Sequence, residues 1–345
     1  MTAAKPAALP IRVLFAGSPA IAVPALEALA AAGAAGEGFA LAGLLTNPDS
    51  PRGRSGRPEP TDCAAALARI APEIPALKPE RLDGAARERI AALGADILAS
   101  FAYGRIFGPR LLALFPLGGI NVHPSLLPKY RGPTPIQAAI LGMEAETGVT
   151  IQRLAAEMDS GDILAQEKML LGGRETAQGL GEAAAQKGAA MLAALLREMA
   201  ALAGTAPDAA APAAAALAGL GRAQDHGAAT YCPLISKGDG LIDWSMGARE
   251  IDARIRAYAP WPLCWTEHGG QRLFILKAEP LEPAPGGAPP APPGTVLGKD
   301  ANKGILVQTG DGVLAAGELQ YRSKKALGWK AFLNGARNFM NERLG

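Results

Sequence analysis

The feature that most constrains the fold is an alternation of short apolar runs with longer helical segments through residues 11–203. Ile11-Arg12-Val13-Leu14-Phe15-Ala16-Gly17 reads as a buried strand that closes in Gly17-Ser18-Pro19, and Pro24 is placed to open a helix running to Gly33. Phe39 to Thr46 reads as a second strand. Helices follow over Thr61 to Ile70, capped by Thr61 or Asp62, and over Ala85 to Leu93. Asp96 to Phe101 and Gly119 to Val122 read as further strands. Strands that alternate with helices predict a mostly parallel sheet covered on both faces. Gly148 to Leu154 and Ile163 to Leu170 alternate in the manner of hairpin strands, and a long helix is predicted from Thr176 to Ala203.

The chain has 345 residues, about twice the ~150-residue expectation for one domain, so a second unit is required. From Gly204 to Gly221 the sequence becomes Ala, Pro and Gly with a single acid, Asp208, a composition that builds little specific core. We therefore expect an α/β domain over 1–203, a linker over 204–224 and a second domain over 225–345. In the last, short strands are predicted around Cys264 to Glu267, Leu273 to Ala278, Gly294 to Leu297, Gly304 to Gln308 and Gly312 to Leu319. Gly247 to Tyr258 and Trp329 to Met340 read as flanking helices, and Pro283 to Pro293 as a loop. That pattern predicts a small β-barrel with helical additions.

Composition excludes several classes. Hydrophobic residues make up 49% and charged residues 19%, as in ordinary globular proteins. No uninterrupted apolar run approaches the ~18 residues a membrane-spanning helix needs, and Met1 to Pro10 lacks the apolar core of a secretory signal. Three distant cysteines, Cys63, Cys232 and Cys264, argue against a disulfide framework and against a thiolate metal site. These features predict a cytoplasmic protein with no membrane partner and no metal. A formal net charge of +2 gives no global pull on nucleic acid, so such a partner would be held by local basic clusters.

Of three histidines, only His123 lies at the end of a predicted strand, where an α/β sheet of this kind forms its ligand crevice. Asn121 precedes it by two positions, so strand geometry puts both side chains on one face. The segment Pro124-Ser125-Leu126-Leu127-Pro128-Lys129-Tyr130-Arg131-Gly132-Pro133-Thr134-Pro135 is predicted to be a stiff loop, and its apolar Leu126 and Leu127 also suit simple packing onto the sheet. Met158-Asp159-Ser160-Gly161-Asp162 reads as an acidic turn between two strands, from which Asp159 or Asp162 can reach a neighbouring crevice.

Taken together, Asn121-Val122-His123, the loop Ser125 to Gly132 and Met158 to Asp162 resemble the signature of the folate-dependent formyltransferases, with Asp159 falling 36 residues after His123. The resemblance implies a Rossmann-like mostly parallel N-terminal domain and a C-terminal OB-like β-barrel domain. It implies catalytic roles for Asn121, His123 and Asp159, and 10-formyltetrahydrofolate as the formyl-donor cosubstrate, used without a metal. A folate cradle is implied at Ser125, Leu126, Leu127 and Pro128 with Phe101, Tyr103 and Gly104.

Phe15 to Pro19, Thr46-Asn47-Pro48-Asp49, Ala102-Tyr103-Gly104, Ile242-Asp243-Trp244 and Ala259-Pro260-Trp261-Pro262 extend the likeness to the family branch that acts on methionyl-tRNA. The acceptor implied is initiator methionyl-tRNA, and the enzyme is expected to be a monomer. A sugar nucleotide is the alternative acceptor within the family. Pro124, Tyr130 and Pro133-Thr134 depart from the family's usual residues, and the linker is longer than usual.

The implied chemistry is direct attack of an amine on the formyl carbon through a tetrahedral intermediate. Asn121 is suited to donate to the oxyanion, His123 to supply a cationic donor and a proton, and Asp159 to orient His123 and help the attacking amine lose its proton. Contacts to tRNA are expected from Arg52, Arg54 and Arg57 in a basic loop, and from Lys324 and Lys325 in the C-terminal domain. From His226 to Gly345 there are 14 Lys and Arg against 11 Asp and Glu, a patch of basic charge rather than a basic domain. A nucleotide-dependent dehydrogenase is disfavoured, because the first turn, Gly17-Ser18-Pro19-Ala20-Ile21-Ala22, lacks the G-x-G-x-x-G spacing.

Overall fold

The computed structural model of the protein describes residues 10–51, 56–203, 219–281, 291–336 and 339–345. Arg52, Arg54 and most of the expected linker and Pro-rich loop lie outside these residues. In chain order the elements are β1 (Ile11–Ala16), α1 (Val23–Ala34), β2 (Phe39–Leu45), β3 (Ser50–Pro51), β4 (Pro58–Glu59), α2 (Asp62–Ile70), β5 (Ala76–Leu77), α3 (Gly84–Ala91), β6 (Ile97–Ser100), α4 (Pro109–Leu112), β7 (Gly119–His123), α5 (Pro135–Leu141), β8 (Glu146–Arg153), β9 (Ile163–Leu170) and α6 (Ala177–Ala203). The later elements are α7 (Ala248–Ala257), β10 (Cys264–His268), β11 (Gln271–Leu281), β12 (Val296–Asp300), β13 (Gly304–Gln308), β14 (Val313–Tyr321), β15 (Leu327–Gly328) and α8 (Trp329–Gly335).

The larger sheet runs β5-β2-β1-β6-β7-β8-β9. β1 is parallel to β2 and β6, β2 to β5, and β6 to β7, whereas β8 returns antiparallel to β7. Period-2 geometry divides β1 between two cores. Val13 and Phe15 join Leu26, Leu29, Cys63, Leu67, Leu192 and Leu196 on one face, while Leu14 and Ala16 join Ile90, Leu98 and Leu111 on the other. A sheet covered on both faces explains why β1 and β2 read as almost continuous apolar runs. Leu14 and Phe15 are fully buried and each contributes about 1.5–3 kcal/mol of transfer free energy.

Local capping fits the same plan. Pro24 sits in the first turn of α1, where its missing N–H costs nothing. Thr61 accepts from the Ala64 N–H to start α2, and Asp83 accepts from the Ala86 N–H to start α3. On α6, Gly188 lets the helix approach the sheet closely, since a Cβ there would lie 2.7 Å from Val122 Cγ1 and 3.5 Å from Val149 Cγ1.

The residues gather into two compact units that do not follow linear order. One takes Met1–Pro135, Thr147–Met169 and Gly181–Cys232; the other takes Ile136–Glu146, Leu170–Leu180 and Pro233–Gly345. The expected division over 204–224 was drawn from composition, yet Arg222 exchanges backbone hydrogen bonds with Ile163, and Arg131 bridges to Tyr231. Residues 222–232 are thereby tied to the first unit.

The second unit is built on an antiparallel sheet in the order β10-β11-β14-β13-β12, with β15 added on β14. Leu273, Ile275, Val307, Leu314 and Leu319 fill its interior, and α7 packs on β11. Trp244 donates its indole N–H to Thr266 Oγ1 at 3.0 Å, satisfying a buried aromatic. The last helix ends at Gly335 rather than near Met340. Asn341 and Glu342 exchange backbone hydrogen bonds with Val296 and Leu344 donates to Gly294, so these residues pair with the sheet instead of extending the helix. The turn of helix at Pro135–Leu141 was not expected, because the prolines before it gave only a loop signal.

A bulky residue at position 188 meets two valines of the central strands. Gly188→Leu should lower stability by about 1–3 kcal/mol through overpacking, read as a fall in Tm and in the urea midpoint.

Candidate active site

The strand order places the carboxyl ends of β1, β6 and β7 side by side, with the connections reversing direction across the β1–β6 pair. Such an edge is where α/β sheets bind ligands. β7 ends there with Asn121 and His123. In the antiparallel register Asn121 lies opposite Gln152 and His123 opposite Thr150, so all four side chains lie on one sheet face. No group among the described residues hydrogen-bonds the Asn121 side-chain amide.

His123 is 4% exposed. Its Nε2 lies 2.8 Å from the Tyr130 carbonyl oxygen and its Nδ1 lies 3.6 Å from Asp159 Oδ2. A carbonyl can only accept, so Nε2 carries a proton and Nδ1 is the nitrogen left to gain or lose one. The backbone on both sides is unusual. Tyr130 has φ 60° and Asp159 has φ 53°, a left-handed conformation that costs non-glycine residues about 1 kcal/mol or more and recurs at functional sites. At Tyr130 it sends the carbonyl to His123 and the N–H to Thr230 Oγ1, 2.8 Å away.

Asp159 occupies the turn between β8 and β9, and its carboxylate is held from two sides. Gln152 Nε2 donates to Oδ1 at 2.7 Å, and the Gly132 N–H donates to Oδ2 at 2.9 Å. Two glycines make that approach possible. A Cβ on Gly132, which has φ 113°, would lie 2.4 Å from the Cys232 carbonyl oxygen, and one on Gly161 would lie 2.1 Å from that of Arg153.

Several polar groups of the loop from Ser125 to Pro128 are already paired, mostly with residues outside it. The Ser125 hydroxyl donates to the Lys129 carbonyl at 2.6 Å, the Leu127 N–H donates to Thr150 Oγ1 at 3.2 Å, and Gln166 Nε2 donates to the Leu127 carbonyl at 2.8 Å. The peptide bond before Pro128 is cis. Ser125 and Leu127 are buried, and Leu126 occupies space that Gly148 leaves open, since a Cβ there would lie 2.4 Å from Leu126 Cδ2. The loop is thus a rigid wall beside His123 whose Leu127 peptide groups are already spent.

At the neighbouring strand end Phe101 is buried in the first core, while the Tyr103 ring is buried in the second and stacks on Phe107 at 5.3 Å. Burial raises the Tyr103 phenol above its usual range, with Arg105 opposing. What Tyr103 offers the crevice is its backbone carbonyl, which accepts from Asn47 Nδ2 at 3.1 Å. Gly104, at φ 80°, has open space where a side chain would stand.

The basic residues fall elsewhere. The β3–β4 ladder, Ser50↔Glu59 and Pro51↔Pro58, brackets the segment that carries the three loop arginines, of which Arg57 is described and exposed. Lys324 and Lys325 are exposed in the turn after β14.

Three polar residues beneath the site were not singled out from the sequence: Arg131, Gln152 and Gln224. Arg131 is 1% exposed. It donates to Gln224 Oε1 from Nε at 3.2 Å and from a terminal nitrogen at 2.8 Å. Gln224 in turn donates to the Asp159 carbonyl at 2.9 Å and to the Gly161 carbonyl at 2.6 Å. Gln152 carried little signal, because its strand, Glu146-Thr147-Gly148-Val149-Thr150-Ile151-Gln152-Arg153, mixes polar and apolar residues throughout and its register against Asn121 is set by tertiary pairing. Gln224 carried none, because it follows the Ala/Pro-rich stretch.

The three cysteines are free and buried. Burial pushes the Cys63 and Cys264 thiols up to about 12, and it raises Cys232 as well, with the Asp159 carboxylate adding to the effect. No cluster of three or more His, Cys, Asp or Glu suited to a metal ion occurs among the described residues, and no described helix is long and apolar enough to cross a membrane. The arrangement joins a neutral amide donor, an imidazole with one free nitrogen and an oriented carboxylate. Such a set can stabilise an oxyanion and move a proton.

Comparison with known proteins agrees with this chemistry. Residues 11–196 match the formyl transferase family and residues 234–337 match the formyl transferase C-terminal domain. Two similar proteins are the methionyl-tRNA formyltransferases of Treponema denticola, 42% identical over 96% of this chain and 98% of the relative, and of Treponema pallidum, 44% identical over 97% and 99%. Among solved structures, an N-formyltransferase from Helicobacter canadensis in complex with folinic acid and dTDP-3-aminofucose shares the fold. Its TM-score is 0.59 at 17% identity, covering 89% of this chain and 99% of that one. With both family domains present and this identity sustained along nearly its whole length, the chain belongs to the methionyl-tRNA formyltransferases, a branch of the formyl transferase family.

Proposed function

We infer that the protein transfers the formyl group of 10-formyltetrahydrofolate to the α-amine of methionine on initiator methionyl-tRNA, giving the formylated initiator for translation, and that it acts as a cytoplasmic monomer. The observation that carries this reading is full-length similarity to methionyl-tRNA formyltransferases combined with Asn121, His123 and Asp159 at one sheet edge. The donor set fits the folate cosubstrate: a formyl amide needs a neutral donor at its oxygen and proton transfer at its nitrogen, and no group that competes for the formyl carbon as a thiolate is present among the described cysteines. The folate supplies a formyl group already activated for transfer.

Asn121 donates to the formyl oxygen where negative charge develops. Its amide is spared by the other described side chains, so it needs no rearrangement before doing so. His123, fixed through Nε2 by the Tyr130 carbonyl, delivers a proton from Nδ1 to the folate nitrogen as the bond from that nitrogen to the formyl carbon breaks. At 3.6 Å from Nδ1, Asp159 Oδ2 is beyond hydrogen-bond distance but near enough to stabilise the protonated ring electrostatically. Asp159 stabilises that imidazolium and accepts the proton shed by the attacking amine. Ser125 to Pro128 form the rigid wall of the folate slot, with Phe101 and Tyr103 beneath it and Gly104 leaving room for the flat ring. Arg52, Arg54 and Arg57 meet the tRNA acceptor stem, and Lys324 and Lys325 on the C-terminal OB-like unit meet its backbone.

Formyl transfer measured with charged initiator tRNA, charged elongator tRNA, nucleotide sugars and water as acceptors tests the assignment. Transfer should favour initiator methionyl-tRNA, and equal or better use of a nucleotide sugar would overturn it. In single-turnover assays Asn121→Ala should lose about 10²–10³-fold in rate, and His123→Ala and Asp159→Ala should lose about 10²-fold or more. A folded variant that keeps full rate removes that residue from the mechanism. Charge reversal of Arg52, Arg54 and Arg57 together should raise the KM for tRNA, flatten its salt dependence and leave folate binding intact; equal loss of both substrates argues against a tRNA role.

A further inference from the structure

We propose that Arg131, Gln224 and Gln152 form a positioning relay that holds Asp159 in its reactive orientation from beneath the site. The proposal rests on the assignment of Asp159 to the reaction. Arg131 is 1% exposed and forms no ion pair with a carboxylate among the described residues. A guanidinium buried without a counter-charge is costly, so its donors must find other compensation. One terminal nitrogen donates to His226 Nδ1 at 3.0 Å, the other to the Tyr231 hydroxyl at 3.3 Å, and two donors converge on Gln224 Oε1.

A guanidinium can only donate. The Gln224 amide must therefore present its oxygen to Arg131 and its nitrogen away from it. That nitrogen has two hydrogens for three acceptors, the Gly161 carbonyl at 2.6 Å, the Asp159 carbonyl at 2.9 Å and Gln152 Oε1 at 3.2 Å, so the contact to Gln152 is shared and the weakest of the three. Gln152 then has its own oxygen fixed toward Gln224, leaving its nitrogen to donate to Asp159 Oδ1 at 2.7 Å. The Asp159 carboxylate only accepts. Two amides thus run head to tail from a buried cation to the working anion, and reversing either one sets oxygen against carboxylate or N–H against guanidinium. Gln152 and Gln224 are 1% and 5% exposed, so water has little access to substitute for a lost donor.

The relay differs from a mere structural tie in its polarity. Gln224→Glu keeps the pairing with Arg131 but removes the donor that turns Gln152, together with the donations to the Asp159 and Gly161 carbonyls. The Gln152 amide is then drawn to donate toward residue 224, and its oxygen faces Asp159 Oδ1. Wild type, Q224E, Q152M and Q224E/Q152M are compared by single-turnover transfer to methionyl-tRNA, by KM for both substrates and by Tm.

Q224E should lower Tm, because the Asp159 and Gly161 carbonyls lose their donor, yet keep both KM values within about twofold while its rate falls about 10- to 100-fold, the scale expected when a reacting group is misplaced. In the Q152M background, where no amide remains to reverse, Q224E should add less than about twofold, because residues that act through one another are not additive. Undiminished rate in Q224E, or an equal loss in both backgrounds, overturns the relay. Should Q224E fail to fold, Q152E places an acceptor against Asp159 Oδ1 while leaving Arg131 and Gln224 intact. A loss of rate there at unchanged KM supports the relay, and full rate overturns it. Asp159→Asn separates the two levels. If it is fully active, the reading of Asp159 fails; if it is inactive while Q224E is unimpaired, only the relay fails.

Discussion

Burial of the Arg131 guanidinium is the constraint on which the site's polar architecture depends. Four hydrogen bonds meet donors that burial removes from water, where an unmet donor costs on the order of 1–3 kcal/mol. The groups that meet them, Gln224, His226 and Tyr231, lie about a hundred residues later in the chain and are brought back by backbone pairing of residues 128–132 with 230–232. That pairing fixes the Tyr130 carbonyl, which holds His123, and the Gly132 N–H, which holds Asp159. One buried cation therefore links the loop after β7, the turn after β8 and the segment that follows the Ala/Pro-rich stretch.

Rigidity around the site has a common origin in close backbone approach. Gly132, Gly148 and Gly161 each stand where a Cβ would meet a carbonyl oxygen or a leucine at well under van der Waals distance. The Ser125 hydroxyl and the Leu127 peptide groups are consumed by their own loop and by Thr150 and Gln166. The left-handed backbone at Tyr130 and Asp159 persists because these contacts over-determine it. Preorganisation of this kind suits a reaction whose catalytic demand is electrostatic, since donors already in place need not reorganise as charge develops.

Much of the fold was legible in the chain because its signals are local. The apolar run of β1, the Thr61 cap of α2 and the alternation in β9 each depend on a few neighbouring residues, and each element formed within a residue or two of its expected span. The errors lie where a distant partner decides. Helix α8 stops at Gly335 because residues 341–344 pair with 294–296. α5 was hidden behind prolines that signalled only a loop. A boundary drawn from composition over 204–224 did not anticipate that residues 222–224 are bound to the first unit.

For the candidate site the same division holds. By itself the sequence determined the α/β scaffold, the placement of Asn121 and His123 two apart on one strand, and the spacing of Asp159, because strand period and the identity of chemically capable residues are properties of the chain. Only the tertiary structure decided that Nδ1 of His123 is the free nitrogen, that Tyr103 turns its ring into the core, and that Arg131, Gln224 and Gln152 stand behind Asp159. Those outcomes follow from hydrogen-bond satisfaction among buried groups far apart in sequence, and no local pattern of residues encodes which donor will find which acceptor.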